Sequence, residues 1–165
     1  MTETLQGLMN TLPQVGEVKW IGVRPARHAP VAVLDQVQAD TARGLVGDRY
    51  AGRSGERHVT LIQWEHLAAV ASMLGRASVD PALVRRNIAV AGINLLALKD
   101  RHFRIGAATL EFTDLCRPCS FMEEALGAGG YNAMRGHGGV TARVVGSGVI
   151  ALGDEVAMLR ERSGV

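Results

Sequence analysis

The sequence predicts a mainly β fold with a few helices, closed or strongly curved into a barrel. Three observations carry this. Short segments rich in valine and isoleucine recur along the chain, glycines stand at the corners between them, and only two or three stretches have helical periodicity. Regular strand–helix alternation is missing, which argues against a doubly wound sheet. A chain of 165 residues is expected to be one domain and is long enough to bury a core without cross-links.

The elements follow in order. Residues 1–14 are polar and unpatterned up to Pro13 and read as a loose arm; residues 15–160 read as a single domain and 161–165 as a tail. Strand signals cover 15–23 and 31–39, split by Arg24-Pro25-Ala26-Arg27-His28. Residues 43–58 read as a long polar loop, and a loop of that length inside a compact domain is usually functional or disordered. His58-Val59-Thr60-Leu61-Ile62 is a short apolar strand. The clearest helix runs from Trp64 to Leu74, with apolar residues at 64, 67, 68, 71 and 74 on one face and Gly75 as its stop. Trp64 is expected to pack this helix onto the barrel, and His66 to lie solvated on its polar side. Asp80-Pro81 supplies the cap and first turn of a short helix through Val84, and Ile88–Ala91 is a further strand. Residues 103–106 and 108–112 form a pair around a tight corner, and 150–158 repeats that pattern. Between them a very glycine-rich stretch, 129–139, leads into a strand over 140–145.

Composition narrows the class. Hydrophobic residues at 47% and charged residues at 21% are ordinary for a globular protein, and aromatics at 4% leave a core of Val, Leu, Ile and Ala. No apolar run approaches the roughly 20 residues needed to span a bilayer. The start, Met1-Thr2-Glu3-Thr4, has no signal-peptide character, so a cytoplasmic location with no membrane partner is expected. Two cysteines make no disulfide framework, and free thiols are expected in a reducing compartment. A net charge of +2 implies no strong field for nucleic acid. Of the 18 basic residues only Lys19 and Lys99 are lysines. Arginine's planar fork suits phosphate and carboxylate, although genomic base composition also favours arginine.

Both cysteines lie in Cys116-Arg117-Pro118-Cys119-Ser120-Phe121-Met122-Glu123. Ser120 followed by Glu123 reads as a capping box, and Gly127 as the stop of a short helix with Met122 and Leu126 turned to the core. Cys119 then lies one residue outside a helix N-terminus, beside Arg117, and both features favour thiolate over thiol. A thiolate serves a sulfur carrier, a redox enzyme or a soft-metal site. One CxxC supplies two zinc ligands, and His58, His66, His102 or His137 could add others, but no second CxxC is present. Cys-x-Pro-Cys at a helix start also suits thiol–disulfide exchange. Such motifs, however, follow the first strand of a βαβ unit and attack with the first cysteine. A Cys–His hydrolase pairing Cys119 with His58 or His137 stays open in principle.

Three segments are candidates for binding an anion: the loop 44–57 with Arg49, the run Arg85-Arg86-Asn87, and Arg135-Gly136-His137-Gly138-Gly139, where glycines allow a ligand close to the backbone. Each alone is weak evidence, because surface arginines and loop glycines are common. Neither a Walker A sequence nor a GxGxxG after a strand is present, which argues against a mononucleotide P-loop.

Laid side by side, these segments resemble the MOSC domain, the C-terminal domain of molybdenum cofactor sulfurases, in its small stand-alone bacterial form. The resemblance rests on Gly44-Leu45-Val46-Gly47-Asp48-Arg49, His58-Val59-Thr60-Leu61-Ile62, Arg85-Arg86-Asn87-Ile88, Phe103-Arg104-Ile105-Gly106, Cys116-Arg117-Pro118-Cys119, Gly139-Val140-Thr141-Ala142-Arg143-Val144 and Gly153-Asp154, in that order. It implies a barrel-like β fold and an association with molybdenum cofactor, a pterin dithiolene carrying a phosphate. It implies that Cys119 is the catalytic cysteine, either as a ligand to molybdenum or as the carrier of a persulfide sulfur. Arg85 and Asn87 match an element that holds the cofactor in relatives, and Arg49, His58, Arg135 and Arg143 are the further cofactor-binding candidates. Relatives with enzymatic activity reduce N-hydroxylated compounds. The implied function is therefore molybdenum-dependent reduction of a small N-hydroxylated or N-oxide substrate, with another protein as electron donor. The alternative is a sulfur-carrying or cofactor-transfer module with a protein partner. Pyridoxal phosphate is not expected, because the chain is too short for the sulfurase's second domain and neither lysine has a Schiff-base setting.

Overall fold

Alternating apolar side chains close a seven-stranded barrel in the computed structural model, which describes residues 3–49 and 54–160. The strands are β1 (Gly16–Val23), β2 (Ala32–Leu34), β3 (Gln36–Asp40), β4 (Gly44–Leu45), β5 (Val59–Gln63), β6 (Ile88–Ala91), β7 (His102–Ile105), β8 (Ala108–Leu115), β9 (Val140–Gly146), β10 (Gly148–Ala151) and β11 (Glu155–Met158). Neighbours run β11-β7-β8-β9-β5-β6-β1, and Gly16 pairs with Val156 to join β1 back to β11. Closure removes the exposed edges that an open sheet leaves. β2 extends β1, while β10, β3 and β4 form a separate small sheet.

The one parallel pair among the described residues is β5–β6. Its crossover carries α2 (Trp64–Met73) and α3 (Pro81–Val84), the second capped by Asp80, whose Oδ1 accepts from Ala82 N at 2.9 Å. Parallel strands covered on both faces read as continuous apolar runs, and every residue of β5 is buried. Val59, Leu61, Ile88 and Val90 point into the barrel with Ile21, Phe103, Ile105 and Leu110. Ile62 and Ala89 point outward, under Leu67 and Val70 of α2, Met122 and Leu126 of α4 (Phe121–Leu126) and Met134 of α5 (Gly130–Met134). The helices thus form a lid on one wall of the barrel.

Several elements differ from the sequence reading. Residues 5–9 of the expected arm are helical: Thr4 Oγ1 caps α1 (Leu5–Met9) by accepting from Gly7 N at 2.9 Å. Arg101 holds the helix end through Met9 O at 3.1 Å and Asn10 Oδ1 at 2.6 Å. This helix buries no residue, so it leaves no apolar stripe to read. The strand expected over 31–39 breaks at Asp35, and the one expected over 150–158 breaks at Gly153, which takes φ +85°. Each break sends one half to the barrel and the other to the small sheet. Gly44 and Leu45, expected in a loop, pair with β3. Trp64 is 39% exposed and does not pack α2 onto the barrel; Leu67, Val70 and Ala71 do. A first-turn side chain tilts back past the start of its own helix. His66 is half-buried rather than solvated, and packs edge-on against His137 with ring centroids 4.8 Å apart. Residues 50–53 of the long loop and the tail 161–165 lie outside the described residues.

Candidate functional site

The cysteine segment leaves β8 and is pinned to the start of β9, where Cys116 N donates to Gly139 O at 2.8 Å. A Cβ at Gly138 would collide with the Cys116 carbonyl, and one at Gly139, with φ +87°, would collide with the Leu61 carbonyl. These glycines therefore admit main chain to main chain, not a ligand to the backbone as the sequence suggested. The capping box does not form either. Ser120 makes no cap hydrogen bond. The Glu123 carboxylate instead accepts from Tyr131 N at 2.9 Å and Gly129 N at 2.8 Å, which ties α4 to α5 and holds its pKa below the ordinary carboxylate value. Cys119 nonetheless lies just outside the helix as expected, its carbonyl accepting from Met122 N at 3.0 Å. Cys119 is exposed and Cys116 is 3% exposed.

Both cysteines line a cavity of about 550 Å³. Its other walls come from four connections. The β1–β2 link gives Arg24, Arg27 and His28; the loop after β4 gives Arg49 and Arg57; the α3–β6 turn gives Arg85 and Arg86; Arg117 stands between the cysteines. Thr60, Phe121 and Met122 complete it. Seven arginines thus surround two thiols.

Several of these arginines are held in place. Arg86 Nε donates to Gly138 O and Nη1 to Val84 O, both at 2.8 Å. Burial pushes the Arg86 pKa below its ordinary value; Cys116 and Cys119 act against that, and the charges of Arg57 and Arg24 act with it. Arg57 Nη2 lies 3.9 Å from Cys116 Sγ. Arg85 ends α3 in the left-handed conformation, φ +57°, and its guanidinium carbon stands 5.2 Å from the centre of the Phe121 ring. Arg24 is fixed by its main chain: its N–H donates to Asp48 Oδ1 and its carbonyl accepts from Arg49 N, both at 2.7 Å. The Arg24 side-chain Nε is buried without a hydrogen-bond partner. A donor left in that state is costly unless a ligand meets it.

The structure brings together three of the residues the sequence singled out, Cys119, Arg85 and Arg49, and places the other four elsewhere. Asn87, 4% exposed, spends its amide inside the fold. Its Oδ1 accepts from Thr60 N at 3.0 Å and Thr60 Oγ1 at 3.1 Å, and its Nδ2 donates to Gly22 O at 3.1 Å. His58 is buried beneath Gly44 and Gly55, and its Nδ1 accepts from Val144 N at 3.2 Å. Arg143 lies between Glu111 at 3.9 Å and Glu56 at 4.0 Å. Arg135 is exposed at the end of α5, its Nη1 3.5 Å from Asn132 Oδ1. In each case the direction of the side chain, which the sequence does not show, decides where the residue lies. Arg24, Arg27 and His28 were not among the residues the sequence singled out, whereas Arg57 and Arg86 stood inside its candidate anion-binding segments and Arg117 beside its cysteine. The Arg-x-x-Arg-His break between the first two strand signals was the one local hint.

Two expected results follow from this geometry. Native protein treated with iodoacetamide should gain one adduct, on Cys119, and a second on Cys116 only after unfolding, as read by intact mass; prompt double labelling overturns the assignment of exposed and buried thiols. Burial, with Arg143 adding to it, holds the His58 pKa below its ordinary 6.5, and burial lowers His66 likewise. The folded state then binds fewer protons than the unfolded one, so this stabilisation is complete above pH 6.5 and is lost as pH falls through the depressed values. The melting temperature should drop between about pH 7 and pH 5, and a flat or rising profile contradicts it.

Residues 30–157 match the family model of the MOSC domain. No curated protein matches the sequence. In fold, the chain is similar to the crystal structure of YuaD from Bacillus subtilis, with TM-score 0.76 and 17% identity over 92% of this chain and 100% of that one. It is also similar to YiiM from Escherichia coli, with TM-score 0.67 and 17% identity over 90% and 72%. YiiM from Geobacillus stearothermophilus gives TM-score 0.71 and 15% identity over 90% and 77%. At these identities the likeness is one of fold. Among the described residues no helix is long and apolar enough to cross a membrane.

Proposed function

The chain belongs to the MOSC domain family, and from that premise we propose that it binds molybdenum cofactor with Cys119 as the protein ligand and reduces a small N-hydroxylated or N-oxide substrate. The observation that carries this reading is one exposed thiol sharing a cavity with seven arginines. The residues fit the group. A cysteine thiolate is a soft donor suited to a metal already held by dithiolene sulfur. Among the described residues no three His, Cys, Asp or Glu side chains gather to hold a metal, so most of the coordination must come with the cofactor. Arg24, with its unpartnered Nε, Arg49 and Arg85 are the groups to take the phosphate. When bound, the cofactor supplies two-electron exchange coupled to removal of an oxygen atom. Arg57 and Arg86 place positive charge at the cysteine end, Cys119 would hold the cofactor there, and Phe121 and Met122 give that end an apolar wall. Electrons come from a separate protein.

Metal analysis tests this. Protein purified from a cofactor-sufficient host should carry near-stoichiometric molybdenum, and none from a host unable to make the cofactor. Protein free of molybdenum in both cases rejects the reading. A second reading, a persulfide carrier without turnover, draws on one feature: Cys116 lines the same cavity as Cys119, where a resolving thiol belongs. Intact mass after treatment with a cysteine desulfurase should then show one added sulfur on Cys119, and no gain excludes it.

A further inference from the structure

We infer that Asp48 is a positioning residue of this cavity: its carboxylate clasps the main chain of Arg24 and so sets Arg24 and Arg49 on the cavity wall, although Asp48 does not line the cavity itself. Its importance rests on the proposed function, in which those two arginines help take the cofactor's phosphate. A turn over residues 45–48 delivers the carboxylate. Asp48 N donates to Leu45 O at 3.0 Å, Gly47 takes φ +92°, and Val46 stays at negative φ. That is a type II turn, whose third residue needs a positive φ. A Cβ at Gly47 would meet nothing within 4 Å, so the backbone angle, not space, calls for glycine. The segment Gly44-Leu45-Val46-Gly47-Asp48-Arg49 thus seats a carboxylate instead of cradling a ligand with its glycines.

The clasp is reciprocal. Asp48 Oδ1 accepts from Arg24 N, and Arg24 O accepts from Arg49 N, both at 2.7 Å. Two hydrogen bonds therefore lock the loop after β4 to the β1–β2 link, at the two residues whose guanidinium groups reach the cavity. Burial pushes the Asp48 pKa up, and the Arg24 N–H, the Arg24 charge and, least, the Asn87 amide act against it. Asn87 opens β6, so three of the four connections that wall the cavity meet at this one carboxylate. Asp48 is half-buried and, among the described residues, forms no ion pair, even with Arg24 or Arg49. A carboxylate paired with either guanidinium would compete with an incoming anion for its fork. Bound to a main-chain N–H, it orients the arginines and leaves their forks to the cavity.

Positioning and simple charge predict opposite results. If Asp48 acted only through its field, removing its negative charge beside Arg24 would tighten anion binding; removing a clasp weakens it. Isothermal titration of cofactor-free protein with sodium phosphate, at constant ionic strength, separates the two. Asp48→Ala should bind phosphate at least about tenfold more weakly than the wild type. Asp48→Asn keeps an acceptor for the Arg24 N–H without the charge, and should bind at least as tightly as the wild type. Gly47→Ala keeps the carboxylate but strains the turn that seats it, and should weaken binding as Asp48→Ala does. Should Asp48→Ala fail to fold, Gly47→Ala set against Asp48→Asn makes the same comparison. No phosphate binding by the wild type, unchanged or tighter binding by Asp48→Ala or Gly47→Ala, or binding by Asp48→Asn as weak as by Asp48→Ala, overturns the inference; the cofactor reading then still stands or falls on molybdenum content. The expected phosphate series in protein that never retains molybdenum keeps the role of Asp48 and removes the proposed function.

Discussion

On the proposed cofactor reading, replacing Cys119 with serine is expected to strip molybdenum from the protein and leave its fold intact. The serine hydroxyl stays protonated at neutral pH and offers a hard oxygen where the metal's partners are soft sulfurs. Changes one shell further out already cost roughly 10- to 100-fold in metal affinity, so loss of the ligand itself should cost at least that, in molybdenum retained and in substrate turnover alike. Stability should barely move. Cys119 is exposed, and its carbonyl accepts from Met122 N at 3.0 Å, a bond that serine keeps. Surface changes of this kind stay within about 0.5 kcal/mol, or roughly 1–2 °C of melting temperature at this size. Metal analysis beside a thermal scan separates the outcomes. Full molybdenum content in the serine variant removes Cys119 from the site, and a melting shift of many degrees shows that the cysteine packs rather than binds.

Asn87→Ala is expected to do the opposite, harming the fold rather than the ligand. Its amide brackets β5 to β1 through Thr60 and Gly22 in a region closed to water. Truncation leaves the Thr60 N–H and the Gly22 carbonyl without partners. A buried group so stranded costs about 1–3 kcal/mol, and with the lost bond to Thr60 Oγ1 the total is about 3–5 kcal/mol. That corresponds to a melting temperature lower by roughly 6–20 °C, readable in urea and thermal unfolding. Anion affinity of the folded protein should change little. Unchanged stability with lost anion binding makes Asn87 a ligand group and refutes its assignment as an internal bracket.

Barrel strands and helices were legible because their signals are local. Ile88–Ala91 and the start of β1 stand as strands where valine and isoleucine cluster, and α2 stands where the helical period was read, although Leu67, Val70 and Ala71, not Trp64 and Ala68, form its buried face. The thiol was legible too, since the cysteines stand in one short segment. What misled was chemistry read without direction. Arg85 and Asn87 are two residues apart on one turn, yet one lines the cavity and the other is sealed between strands, because the chain passes from left-handed backbone into β6 between them. Gly138 and Gly139 read as a ligand cradle and instead admit the Cys116 and Leu61 carbonyls.

The amino-acid sequence by itself determined where most of the barrel strands run and that both thiols lie in one short segment. Those properties depend on side-chain period and on main-chain geometry over a few residues, both written locally. Only the tertiary structure decided which arginines share a cavity with those thiols. Arg24, Arg49, Arg57 and Arg86 come from three connections far apart in the chain and converge because β1 closes onto β11 and β5 pairs with β6. Such long-range pairings are made by the cooperative burial of the whole barrel core, and no stretch of sequence holds them alone.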